Sequence, residues 1–159
     1  MTDWLKRELQ GFANADAEKQ RRENRRRLIA DQSPRLWGDL TWAIKNATDQ
    51  LNQTPELKKR TGELSCVDGY TQQIEVHKTL IPSIYLTVFN RSGEFSIERK
   101  FRARVDGALS EQRETLTLVL GAEDQVLMQN KNGELLAIDD AVHYLFAPFL
   151  HPELLGINP

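Results

Sequence analysis

One cysteine, three histidines and no long apolar run exclude several classes of protein at once. A lone Cys66 allows no intrachain disulfide, so any fold must hold by packing alone. The first residues, MTDWLKRELQ, lack the apolar stretch of a secretory signal. No later stretch has the length and apolarity of a membrane span, which makes a cytoplasmic location the expectation. The nine glycines sit mainly at turn positions, with no glycine-rich phosphate loop among them. His77, His143 and His151 form no pair at the i, i+3 or i, i+4 spacing of helical metal ligands, and Cys66 has no second thiol beside it. Neither a metal nor a cofactor is predicted.

Chemistry is equally sparse. Cys66 with Asp68 and His77 is the one nucleophile set close enough in sequence to name. Nothing around it resembles a nucleophile elbow, or a helix start that would lower the thiol pKa. A cysteine near the start of a sheet usually serves as a small buried hydrophobe. The carboxylate pairs Glu123-Asp124 and Asp139-Asp140 fall at a turn and at a helix start, where local structure accounts for them. No enzyme is expected.

What is present is an architecture. A chain of 159 residues, 40% apolar and 28% charged, suits one domain with a single core. Residues 2–53 have helical periodicity. Trp4, Leu5, Leu9 and Phe12 form a first apolar stripe, weakened by Gly11. From Asn14 to Arg27 only alanines interrupt the polar residues, leaving little to bury. A second helix is predicted to start at Ser33-Pro34 as cap and first turn, and to end at Thr54-Pro55. Trp37, Leu40, Ile44, Ala47 and Leu51 line one face of it. Trp42 points about 140° away from Trp37, at roughly 100° per residue. It is expected either to be covered by the first helix or to contact another chain.

The period then changes to two. Phe95, Ile97, Arg99, Phe101, Ala103 and Val105 alternate with Ser96, Glu98, Lys100, Arg102 and Arg104, predicting a long strand. Turns at Asn90-Arg91-Ser92-Gly93 and Asn130-Lys131-Asn132-Gly133 divide further strands. Asp139 and Asp140 cap a final helix whose Val142, Leu145, Phe146 and Phe149 should lie on the sheet. The predicted fold is α+β: helices over about 2–30 and 34–53, a mostly antiparallel sheet of five to seven strands over about 63–137, and a C-terminal helix over about 139–150 packed on the sheet. Residues 1–55 form a helical arm and helix and 63–159 the sheet with its closing helix, in one cooperative domain, with Glu56–Gly62 as the weakest join. Strands followed by a closing helix resemble pleckstrin-homology-like scaffolds in topology, a likeness that implies no site.

The most distinctive stretch is KQRRENRRRL, residues 19–28. Six basic and three acidic residues between Asp16 and Arg27 give it a local charge of +3, against −2 for the whole chain, so the remainder carries −5. Arg21, Arg22, Arg25 and Arg26, with a second basic row at Lys100, Arg102 and Arg104, are candidate anion-binding residues. Glu18 and Glu23 precede arginines by three or four positions and neutralise much of the run. No aromatic residue is interleaved to stack on bases. Cross-strand pairing with Glu75 and Glu114 would account for the second row. Nucleic acid or an anionic membrane surface is therefore an alternative partner. The leading expectation is a non-enzymatic interaction module, self-associating as a homodimer or binding another protein through Trp4, Leu5, Leu9, Phe12 and Trp42. A further alternative is an apolar-ligand pocket lined by Phe95, Phe101, Leu118 and Phe146, between sheet and closing helix.

Overall fold

The computed structural model describes residues 1–157. Helix α1 (Asp3–Gln53) is followed by the short α2 (Pro55–Thr61). Seven strands come next: β1 (Ser65–Tyr70), β2 (Gln73–Lys78), β3 (Ser83–Arg91), β4 (Glu94–Arg102), β5 (Ser110–Leu120), β6 (Val126–Gln129) and β7 (Leu135–Leu136). Helix α3 (Ile138–Leu150) closes the chain, followed by one turn of 3-10 helix. The strands pair in sequence order as one antiparallel sheet, each with its neighbour. This is the predicted α+β architecture. The segment foreseen as a join, Glu56–Gly62, is mostly helical, starting with Pro55 in its first turn.

Alternation sends one side of β2, β3 and β4 into the core. Ile74 and Val76, Ile84, Leu86 and Val88, and Phe95, Ile97 and Phe101 are all buried. The second half of α1 and the whole of α3 cover that face through Trp37, Leu40, Ile44 and Leu51, and through Ala141, Leu145, Phe146 and Phe149. Trp37 packs on Phe95 with ring centres 5.2 Å apart and tilted by 55°, and its indole N–H donates to Thr71 O at 3.2 Å. The other side of the sheet carries Glu75, His77, Tyr85, Glu98 and Lys100 and lies open.

Four local predictions are corrected. The two predicted helices are one: Ser33 and Pro34 lie inside α1. A Ser-Pro pair looks the same in sequence at a helix start and inside a helix, and interior proline forfeits one backbone hydrogen bond. Here the flanking turns are fixed from outside. Gln32 Nε2 donates to Asp124 O at 2.7 Å, and the Val126 amide donates to Gln32 Oε1 at 3.0 Å, clamping α1 onto the β5–β6 connection. The long strand ends at Arg102, so Ala103, Arg104 and Val105 lie in an exposed bend. Ala137 rather than an aspartate holds the cap position of α3, with Asp139 and Asp140 in its first turn, where carboxylates favour the helix dipole. Glu114 joins no cation of the outer basic row and turns to the core face, where it meets Arg99.

Lys78 is the other cation on that core face, only 4% exposed, with no ion pair among the described residues. Burial holds its ammonium below lysine's usual 10.5. Between the two values the unfolded chain binds more protons than the folded one, so this group makes stability rise with pH up to about 10.5. Lys78→Met should raise the thermal midpoint at pH 7 by about 2–4 °C, the effect of roughly 1 kcal/mol in a chain of this size. The gain over the unaltered protein should shrink as pH approaches 10.5. A gain that grows with pH would contradict this account of Lys78.

Candidate interaction surface

Helix α1 extends well beyond the part of it that packs on the sheet. Its buried residues begin at Trp37, and every residue from 1 to 23 is exposed. From Trp4 to the Gln32 clamp the free segment runs about 42 Å at about 1.5 Å per residue. Ile29 near its base packs against the core, and over residues 1–23 only local contacts support it. Glu18 pairs with Arg21 at 3.0 Å and with Arg22 at 3.9 Å, both partners well exposed. Gln10 Nε2 donates to Asn14 Oδ1, and Gln20 Nε2 donates to Asn24 Oδ1. Such exposed pairs contribute at most a few tenths of a kcal/mol each. Glu23 makes no ion pair among the described residues.

At the tip of this segment Trp4 is 61% and Phe12 65% exposed, with Leu5 and Leu9 beside them. At roughly 100° per residue these four centre about 40° from the Trp37–Leu51 stripe, so tip and docked half present nearly the same face. Because α1 is one uninterrupted helix from Asp3 to Gln53, its first half does not fold back over Trp42. That residue is 68% exposed, which overturns its expected cover by the first helix. It faces about 160° away from the buried stripe, at roughly 100° per residue, so it belongs to a separate surface from the tip. Trp42→Ala should change unfolding stability by no more than about 0.5 kcal/mol in a denaturant titration. A larger loss would mean that Trp42 is covered within its own domain.

Where α1 reaches the domain, a cleft of about 630 Å³ opens between the helix and the β1–β2 and β3–β4 turns. Ile29, Ala30 and Pro34 form its helical wall, and the Asn90–Gly93 turn forms the other. Arg26 and Arg91 also line it. Gly93 takes φ of +76°, the left-handed conformation that this tight turn needs. The turn was legible in the sequence. The cleft was not, because its walls come from segments about sixty residues apart.

The two candidate anion-binding groups are not brought together. Arg21, Arg22, Arg25 and Arg26 lie on the α1 arm, whereas Lys100 and Arg102 lie on the open side of the sheet and Arg104 in the bend beyond β4. On the sheet, Glu98 rather than Glu75 takes Lys100 at 3.1 Å and also meets Arg113 at 3.7 Å. Phe95, Phe101, Leu118 and Phe146 come together in the core rather than on a surface. All four are buried in the common core, and Phe101 also lines a surface cleft beside Leu155 and Ile157.

The nucleophile set is likewise dispersed. Cys66 pairs across the ladder with Val76 and packs against the core, while its neighbour in register, His77, is on the opposite side, stacked on Tyr85 at 5.2 Å. Asp68 pairs with Lys45. Burial, then the Asp68 charge, pushes the Cys66 thiol up, away from the reactive thiolate. Among the described residues, no group of three or more His, Cys, Asp or Glu is placed to hold a metal ion. No helix among the described residues is long and apolar enough to cross a membrane.

Sequence reasoning missed one cluster. Arg99 is 4% exposed on the core face of β4, with an Nη1 3.5 Å from Glu114 and its guanidinium 5.9 Å from the Tyr144 ring centre. Lys131 approaches the other Glu114 oxygen at 3.5 Å. Burial and then the Glu114 carboxylate drive the Tyr144 phenol well above its ordinary range. The alternation had placed Arg99 on the apolar side, which was the available signal. Its partner lies one strand away and could not be assigned from one strand alone.

Comparisons with protein-family models, with curated proteins and with solved structures give no match.

Proposed function

We propose that this protein is a non-enzymatic interaction module that self-associates through the free half of α1. The observation that carries this reading is the exposed apolar tip, Trp4, Leu5, Leu9 and Phe12, about 30–42 Å from the Gln32 clamp at 1.5 Å per residue. A polar helix of this length is marginal on its own in water, since helix formation gains most from packing of an apolar face. A second copy is the simplest partner, because most homo-oligomers close by two-fold symmetry. The arginines on the arm then serve a helical surface between two docked ends, partly neutralised by Glu18.

Light scattering on the full chain and on a chain lacking residues 1–31 tests this reading. The shortened chain keeps the Gln32 clamp and the whole Trp37–Leu51 stripe. The expected result is a dimer that becomes a monomer when the arm is removed. A full-length monomer at high micromolar concentration would remove the proposal.

A further inference from the structure

We infer that the apolar tip of α1 docks in the cleft beside the β3–β4 turn of a second copy, with the two α1 helices antiparallel about a two-fold axis near Lys19. This rests on the self-association proposed above and specifies its geometry. Three observations carry it.

The first is position along one rod. The tip centres near Glu8 and the helical wall of the cleft near Ala30, about 33 Å apart at 1.5 Å per residue. Both lie on the same side of the helix, their mean directions about 40° apart at 100° per residue. Two antiparallel copies crossing at Lys19 therefore bring each tip to the other's cleft in a single step. The contact is isologous, so it closes at two chains and leaves neither tip nor cleft open.

The second is charge. Residues 3–18 hold four acidic and two basic side chains, a net −2. Residues 20–35 hold six basic and two acidic, a net +4. Antiparallel pairing sets −2 against +4 twice. Parallel pairing would set +4 against +4 along the arginine run, so electrostatics selects the antiparallel arrangement. Lys19 meets its own copy at the axis, with Glu18 of both chains adjacent.

The third is the chemistry of the cleft. Ile29 and Pro34 offer an apolar wall, and Arg26 and Arg91 line the same cleft with guanidinium groups. An aromatic tip bearing Asp3 and Glu8 suits both, since arginine packs on aromatic faces as well as pairing with carboxylates. Arg91 already lies 5.2 Å from the ring centre of Phe89 in its own chain. Phe12 and Arg26 are equidistant from Lys19 and so meet across the axis. The overlap from residue 3 to 35 is about 50 Å long and about 10 Å wide, on the order of 500 Å² from each chain. The resulting total of roughly 1,000 Å² is where specific interfaces begin, before the walls of the cleft are counted.

Disulfide trapping tests the geometry. In full-length chains carrying Cys66→Ser, Glu8→Cys and Ala30→Cys are introduced separately, and the two proteins are oxidised alone and mixed. Light scattering is measured on the same samples. A bridge needs Cα atoms within about 7 Å, so neither position can pair within its own helix. The expected result is a covalent dimer in the mixture and little or none in either protein alone. Cross-linking of Glu8→Cys with itself would show parallel pairing and overturn the inference. A dimer by scattering with no bridge in the mixture would overturn the docking and give the cleft to another occupant, leaving self-association standing. A monomer in every sample would overturn both.

Discussion

On the proposed self-association, chains in which Trp4 and Phe12 are both replaced by serine will be monomeric at concentrations where the unaltered protein is expected to be dimeric. Large aromatic side chains at the centre of an interface commonly cost 2 kcal/mol or more each when truncated. Each such loss is a factor of about 30 in the dissociation constant. Neighbouring effects do not add fully, so a weakening of at least about 100-fold is the expected outcome for the pair. Both side chains are exposed in the single chain, so its unfolding midpoint at dilute concentration should stay within about 0.5 kcal/mol of the parent. Sedimentation velocity over a concentration series, with a denaturant titration beside it, separates the two quantities. An unchanged dissociation constant would show that the tip is not the contact.

The second large effect belongs to the core. Arg99 and Glu114 meet on the covered side of the sheet, and Arg99 Nε and Glu114 Oε1 have no hydrogen-bond partner among the described residues. The pair is thus joined by charge at 3.5 Å rather than by two parallel hydrogen bonds. Glu114→Ala leaves the buried guanidinium beside Tyr144 with no counter-charge and should cost about 3–5 kcal/mol. Replacing both residues, with Arg99→Met and Glu114→Leu, removes the uncompensated charge and should recover most of that loss. The double change should therefore be far less damaging than the single one, as measured by urea unfolding. A loss below about 1 kcal/mol for Glu114→Ala would mean that water reaches the guanidinium.

Much of this fold is written in local periodicity. Phe95, Ile97, Arg99 and Phe101 share a face because side chains alternate along a strand, and Trp37, Leu40, Ile44 and Leu51 share one because they recur at helical spacing. Gly93 and Gly133 marked hairpin turns through their tolerance of positive φ. What local pattern could not supply was any relation set by a distant segment. Ser33-Pro34 carried the signature of a helix start, and only the Gln32 clamp on the β5–β6 connection shows how the flanking turn is held in register. Glu114 could be placed on a strand but not on a partner until β4 and β5 were aligned, which sets Ile97, not Arg99, directly opposite it. The tip was legible as an apolar stripe. That it stands free of its own domain depends on α1 continuing unbroken through Ser33-Pro34, which no single window of sequence expresses.

Amide hydrogen exchange along α1, followed at several protein concentrations, tests most directly whether the free arm is the contact surface. The account predicts that amides from about residue 5 to 27 exchange quickly in dilute solution and gain protection as concentration rises, while those of Trp37–Leu51 stay protected throughout. Rapid exchange over residues 5–27 at every concentration, in a sample that light scattering shows to be dimeric, would contradict it.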